Sequence, residues 1–440
     1  MTTTTRFDQT ILSNDPARRA RMLEILDGAL NEVDPDRAMR RALRPHEGGW
    51  DIAGVQINPT TVDRVRLLAF GKAAPAMTRA AVDVFGDVEV IGLVASNHPE
   101  PIPEGLDLWI TGHPLPDQQS AAAARAALDL LEDADQRDLV LCLVSGGGSA
   151  LLELPVAGIS LEDEQTTIDA LLSGGADINE LNTVRKHLSA IKGGRLARAA
   201  DPARLFTLIL SDVVGNPLDV IASGPTVPDP TTFGDALAVL DRYDLREKIP
   251  GAVVDHLEAG RDATIDETPK KPLVRQVVSI IADGSSAAAG AAGAARRAGL
   301  PAVIATTAMT GDARTEALRC LGIAGPGVTV FAGETTVKVT GQGRGGRNQE
   351  AALAAARELA GDPDTVFATM GTDGIDGPTG AAGAIVDGRT VSRGVQLGLD
   401  VDSYLAANDS GTYLEATGDL LVTGPTGTNV GDVWIVMRDY

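Results

Sequence analysis

Short, nearly continuous aliphatic runs alternate along this chain with longer segments whose apolar residues recur at helical spacing. The runs Val65–Phe70, Glu89–Val94, Leu139–Val144, Leu205–Leu210, Val277–Ala282, Ala302–Thr306, Val328–Ala332, Thr335–Thr340, Val366–Thr369 and Asp419–Thr423 read as strands. Several lack the polar alternation of a half-exposed strand, which marks strands covered on both faces, as in parallel sheets. The pattern therefore predicts an α/β protein with doubly wound layers. An Arg-rich segment from Asp15 to Leu43 reads as a helical lead. The Ala/Gly-rich stretch Ser285–Gly299 follows a strand and ends on Arg296-Arg297, so it reads as a tightly packed helix rather than a low-complexity linker. The charged, proline-bearing stretch Arg261–Pro272 reads as the linker, giving expected domains at 1–262 and 273–440.

At 440 residues the chain exceeds the usual size of one hydrophobic core, which also favours two domains. Aromatic residues make up only 3%, so the core must rest on small and branched aliphatic side chains. The formal net charge of −22 repels polyanions and anionic lipid, which excludes nucleic-acid and membrane-surface partners. Chemistry on a phosphate would then need a local cationic pocket, and with only seven lysines each one stands out. An acidic, lysine-poor surface suits hydration at high salt and fits either a halophilic source or a merely soluble acidic enzyme. Cys142 and Cys320 form neither a disulfide framework nor a metal-type spacing. With no signal-type hydrophobic region at the start and no long apolar run, the expected setting is cytoplasmic.

In open α/β sheets ligands collect beyond the carboxyl ends of the strands, so the residues just after each run carry the chemistry. After Leu139–Val144 come Ser145, Gly146, Gly147, Gly148 and Ser149, whose backbone N–H groups and two hydroxyls suit a phosphate. Gly71-Lys72-Ala73-Ala74-Pro75 follows Val65–Phe70, and Lys72 could hold a transferring phosphoryl group or a carboxylate. This is not a Walker loop, since Arg66 stands for its first glycine and Ala73 for its Ser/Thr. Asp212, Asn216 and Asp219 lie just past Leu205–Leu210, followed by Ser223-Gly-Pro225. Carboxylates at such a place hold Mg²⁺ or accept a hydroxyl proton, and helix capping is the competing role for Asp219. Gly341-Gln-Gly343-Arg-Gly345-Gly346 formally contains a dinucleotide fingerprint, although Arg344 and Arg347 suit an anion clamp better. Asp373, Asp376, Thr426, Asn429 and Asp432 lie on further glycine-flexed loops.

Taken together, these segments resemble the class II, MOFRL-type glycerate 2-kinases. The resemblance is carried by Gly71-Lys-Ala-Ala74, Gly112-His-Pro-Leu-Pro-Asp117, Ser145–Ser149, Leu181-Asn-Thr-Val-Arg-Lys186, Lys192-Gly-Gly194, Ser211-Asp-Val-Val-Gly215, Ser223-Gly-Pro225, Gly345-Gly-Arg-Asn-Gln-Glu350, Gly371-Thr-Asp-Gly374 and Gly424-Pro-Thr-Gly-Thr-Asn429. It implies two Rossmann-like α/β domains with the active site in the cleft between them. It also implies ATP- and Mg²⁺-dependent phosphorylation of D-glycerate at its 2-hydroxyl. The family's lysine and arginine fall on Lys72 and Arg347, expected to be catalytic and to orient the substrate, with Asp212 as a further catalytic candidate. Asn216 and Ser223 are expected at the substrate, Ser145–Ser149 at the nucleotide, and Asp212 and Asp373 at the metal. Gly380 and Asp283-Gly284 depart from the family pattern, which puts any metal or ribose role of those two loops in doubt. Small molecules are the expected partners, with a homodimer left open. A hydroxypyruvate reductase using NAD(P)H at Gly341–Gly346 and a non-catalytic binding protein are the rival readings.

Overall fold

The aliphatic runs become the inner strands of two six-stranded sheets in the computed structural model, which describes residues 6–439. Those residues form two units, one of residues 39–211 and 216–281 and the other of residues 6–38, 212–215 and 282–439. The segment 261–272, read as the linker, lies inside the first unit, and the strand after it completes that unit's sheet.

The first unit's sheet contains β1 (Arg64–Phe70), β2 (Glu89–Ser96), β3 (Leu106–Ile110), β4 (Asp138–Val144), β5 (Arg204–Leu210) and β6 (Gln276–Ala282). Their spatial order is β3-β2-β1-β4-β5-β6, with parallel pairing from β3 through β5. This is the doubly wound dinucleotide-binding order, and its switch point lies between β1 and β4. Every residue of β4 is buried, as its unbroken aliphatic run requires. β3 was not anticipated because it is an edge strand whose residues are half-buried or exposed. Four helices of this unit begin on capping boxes, Asp117/Ser120, Ser160/Asp163, Asp177/Glu180 and Thr232/Asp235, so local chemistry sets where each starts. A small antiparallel sheet of Leu43–His46, Gly49–Ile52 and Val55–Ile57 precedes β1.

The second unit's sheet contains β7 (Ala302–Met309), β8 (Gly327–Gly333), β9 (Thr365–Gly371), β10 (Gly383–Asp387), β11 (Leu420–Leu421) and β12 (Asp432–Arg438), in the order β7-β8-β12-β9-β10-β11. Only β7 and β8 pair in parallel; β12 runs antiparallel between β8 and β9. The segment Thr335–Thr340, expected as a strand, makes one isolated bridge at Thr336 and otherwise runs as loop. The helix Gly284–Arg297 packs on Pro16–Glu32 so closely that a β-carbon on Gly290 would lie 2.4 Å from the carbonyl of Gly28. That contact explains both the Ala/Gly composition and why the N-terminal helix belongs to this unit.

Candidate functional site

At the switch point of the first unit two loops are stitched together. The Lys72 N–H donates to the Gly146 carbonyl at 2.9 Å, and the Ala73 N–H donates to Ser145 Oγ at 3.0 Å. Gly71 has a φ of +124°, and a β-carbon there would lie 2.2 Å from Ser145 Oγ, so only glycine lets the loops meet. Gly147, at φ +84°, leaves room for the His113 ring, whose Cδ2 lies 3.0 Å from where its β-carbon would be. Burial lowers the His113 pKa and the nearby Lys72 ammonium lowers it further, both working against the imidazolium. The helix that begins on the last of the glycines spans only Gly148–Leu151, so no long helix dipole points at this loop.

Behind the glycines, Ser149 Oγ and Ser223 Oγ lie 3.0 Å apart, and Ser223 Oγ donates to Asn182 Oδ1 at 3.0 Å. Lys192, buried and ion-paired with Glu153, donates from Nζ to the Ser149 carbonyl at 2.8 Å. Ala222 and Ser223 both take left-handed φ values, +49° and +60°, a strained pair of the kind found at binding loops. Asn216 is left-handed too, while Asp219 pairs with the buried Lys186 at 3.3 Å.

In the second unit, Asp432 opens β12 directly between Gly333 and Gly371, the last residues of β8 and β9. The residues that follow those strands, Glu334 and Asp373, therefore gather at the same edge. Arg347 begins the helix Arg347–Glu358 and grips Asp432 with two bonds, Nε to Oδ2 at 2.7 Å and Nη2 to Oδ1 at 3.0 Å. Its Nη1 meets Glu334 Oε1 at 2.9 Å. Burial works against the charged guanidinium, but Asp432 and Glu334 outweigh it and hold Arg347 above its ordinary pKa. Asp376 accepts from the Asn348 and Gln349 N–H groups at 3.1 and 2.8 Å and so caps that helix. Burial, helped by Asp432, pushes Asp376 up to about 6. Glu334 is raised by burial and by the fields of Asp432, Asp212 and Asp373, a build-up of negative charge that Arg347 only partly offsets. Asn429 Nδ2 donates to Asp212 Oδ2 at 3.0 Å. Among the described residues no three His, Cys, Asp or Glu side chains form a complete metal-holding group.

The expected residues thus fall into two sets, each assembled within its own unit. Lys72, Ser145–Ser149 and Ser223 share one bonded network, and Arg347, Asp212 and Asp373 surround Glu334 in the other. Asp432, Glu334 and His113 were not singled out as site residues. Asp432 could have been found from the strand-like Val433–Met437 that it opens, a run the strand reading passed over. The fingerprint Gly341–Gly346 does not follow a strand, and its glycines are filled by protein. Added β-carbons at Gly341, Gly343 and Gly346 would strike Ala407, Asp409 and Asp376 at 2.0, 2.3 and 2.3 Å. These glycines serve internal packing, not the approach of a pyrophosphate.

Comparison with known proteins matches residues 21–258 to a domain of unknown function, DUF4147, and residues 327–432 to the MOFRL family. The chain is 40% identical to a glycerate 2-kinase of Pyrococcus horikoshii over 94% of its own length and 96% of that protein's. An Agrobacterium vitis sequence under a provisional hydroxypyruvate reductase name is also 40% identical, over 96% of this chain and 95% of that one. A crystal structure of glycerate kinase from Thermotoga maritima superposes with a TM-score of 0.85 at 39% identity, covering 96% of this chain and all of that one. With both sets of loops standing on folds shared at this identity, the chain belongs to the glycerate 2-kinase family.

Proposed function

We propose that the protein is a glycerate 2-kinase that transfers the γ-phosphoryl group of ATP to the 2-hydroxyl of D-glycerate, releasing 2-phosphoglycerate and ADP. The observation that carries this reading is that similarity to the Pyrococcus horikoshii glycerate 2-kinase runs over 94% of the chain and so takes in both the lysine-bearing and the arginine-bearing unit.

Phosphoryl transfer asks a protein for positioning and charge neutralisation more than for covalent chemistry. Ser145–Ser149 hold the ATP phosphates, and Lys72 and Arg347 neutralise the transferring group and orient the glycerate carboxylate. Asn216 and Ser223 bind the substrate's polar groups. The 2-oxygen attacks the γ-phosphorus as the bond to the β-phosphate oxygen breaks, and Asp212 takes the hydroxyl proton. Arg347 reaches this role already paired, but unequally: Asp432 is fully buried, whereas the Glu334 side chain is 46% exposed. An incoming anion displaces Glu334 and leaves the Asp432 grip intact.

Mg²⁺ supplies charge neutralisation on the nucleotide phosphates. Its usual demand is one or two carboxylates beside those phosphates, not a closed protein cage. Asp373 would meet that demand, and Asp212 is the second carboxylate that could, as the alternative to its taking the hydroxyl proton. A reducing, cytoplasmic setting suits Cys142 and Cys320, both buried and unpaired. No helix among the described residues is long and apolar enough to cross a membrane.

Incubation with ATP, Mg²⁺ and D-glycerate, followed by phosphorus NMR, is expected to show ADP and 2-phosphoglycerate. A parallel assay of NADH absorbance with hydroxypyruvate is expected to stay flat, because the Gly341–Gly346 loop has no room for a dinucleotide. Absence of phosphoglycerate, or steady NADH oxidation, contradicts the reading.

A further inference from the structure

Beside the glycine loop, wholly within the first unit, lies a cavity of about 180 Å³. Gly147 and Ser149 line one side of it, so it opens onto the same loop that the proposed function gives to the phosphates. Its volume falls below the about 300–1,000 Å³ of pockets that enclose whole drug-sized ligands, so it takes a fragment of one. Apolar walls come from Pro114, Leu115, Pro116 and Ile168.

Buried Glu164 and Glu153 and half-buried Arg185 also line it. Glu164 is only 3% exposed, and its Oε2 has no hydrogen-bond partner. Arg185 donates from Nη1 to Asn182 Oδ1 at 3.2 Å and interacts electrostatically with Glu164. The charges around the cavity do not favour an anion. Burial raises Glu164 to about 7, so it offsets Arg185 in part, Lys192 offsets Glu153, the imidazolium of His113 is disfavoured and Asp169 adds a negative charge. Glycerate or a phosphate would find no net attraction here. A buried acceptor without a donor is costly, and the moiety that relieves it is neutral, flat enough for apolar walls, and carries an N–H.

We propose that this cavity takes the adenine base of ATP, its exocyclic 6-amino group donating to Glu164 Oε2 while the phosphates extend onto Ser145–Ser149. The inference rests on the reading of the site as an ATP site and adds which residues choose the base. A site built to bond a substrate N–H rejects the analogue that lacks it, because the protein's acceptor is then stranded.

The test is equilibrium binding by calorimetry of ATP and of purine riboside triphosphate, which differs only in lacking the 6-amino group. The wild-type protein is expected to bind ATP at least about tenfold more tightly. Glu164→Met should bring the two affinities within twofold, and Glu164→Gln, which keeps a carbonyl acceptor, should retain part of the preference. Equal affinities in the wild type overturn the inference without recourse to any variant. So does a preference that survives Glu164→Met, or a Glu164→Met protein whose nucleotide affinities are unchanged while its KM for glycerate rises tenfold. Binding needs no turnover, so a protein that shows the preference yet forms no 2-phosphoglycerate supports the cavity's role and contradicts the kinase reading. Turnover with equal affinities does the reverse.

Discussion

Arg347 shows how much of this chemistry depends on one side chain's shape. Its fork uses Nε and Nη2 on Asp432 and still presents Nη1 to Glu334, a division that a lysine cannot copy. Arg347→Lys should therefore lower kcat by about 100-fold while changing nucleotide affinity little, as steady-state kinetics and calorimetry would show. Asp376 supplies a second residue-scale prediction. Its folded pKa of about 6 stands above its ordinary 3.8, so the folded state binds the proton more readily than the unfolded chain does. The stabilisation from that proton is complete below the lower value and is lost as the pH rises through the higher one. Relative to Asp376→Asn, which cannot ionise, the wild type should lose stability between pH 4 and 7, by up to about 3 kcal/mol in urea melts. A difference that stays constant with pH would contradict the assignment.

At the scale of elements, the proposed site's lysine half stands on loops and its arginine half on the first residue of a helix. Gly71→Ala would force a β-carbon against Ser145 Oγ in a left-handed backbone, and the β1 and β4 loops would have to part. The expected cost is about 2–4 kcal/mol in unfolding free energy, together with loss of turnover. The lysine and glycine loops were legible in the sequence because each follows a mainly apolar strand and begins at or just before glycine. The arginine's surroundings were less so. Thr335–Thr340 has the composition of a strand, but its neighbours at Ala407–Asp409 hold it as a loop, with Thr340 and Gly341 bonded to Asn408. β12 went unread, so Asp432 looked like the end of a loop, when it is the first residue of a central strand. Glu334 stands just past the Val328–Ala332 run, where chemistry is expected, but nothing beside it in the sequence names its partner. It matters only because antiparallel β12 delivers Asp432 beside the end of β8, a long-range pairing that spacing along the chain does not reveal.

For the whole molecule, the N-terminal helix, read from the sequence as a helical lead, is tied into the second unit. Arg19 on that helix is fully buried and ion-paired with Asp387 at 3.1 Å and with Asp419, both of which Arg393 also holds. Arg19→Ala would leave buried carboxylates short of a partner and should destabilise the second unit by about 3–5 kcal/mol, measured by chemical denaturation. The net charge of −22 makes a different prediction for the chain as a whole. Screening by salt shortens the reach of self-repulsion, so the melting midpoint should rise between about 0.1 and 1 M KCl, where the Debye length falls from about 10 to 3 Å. In the proposed reaction Lys72 and Arg347 serve one phosphoryl-transfer step. The single-turnover rate of Lys72→Ala, Arg347→Ala and the double variant with ATP, Mg²⁺ and D-glycerate decides this. A loss of at least about 100-fold is expected for each single variant, and a double variant little worse than the poorer single one. A near-normal rate in either single variant, or fully multiplicative losses in the double, would contradict it.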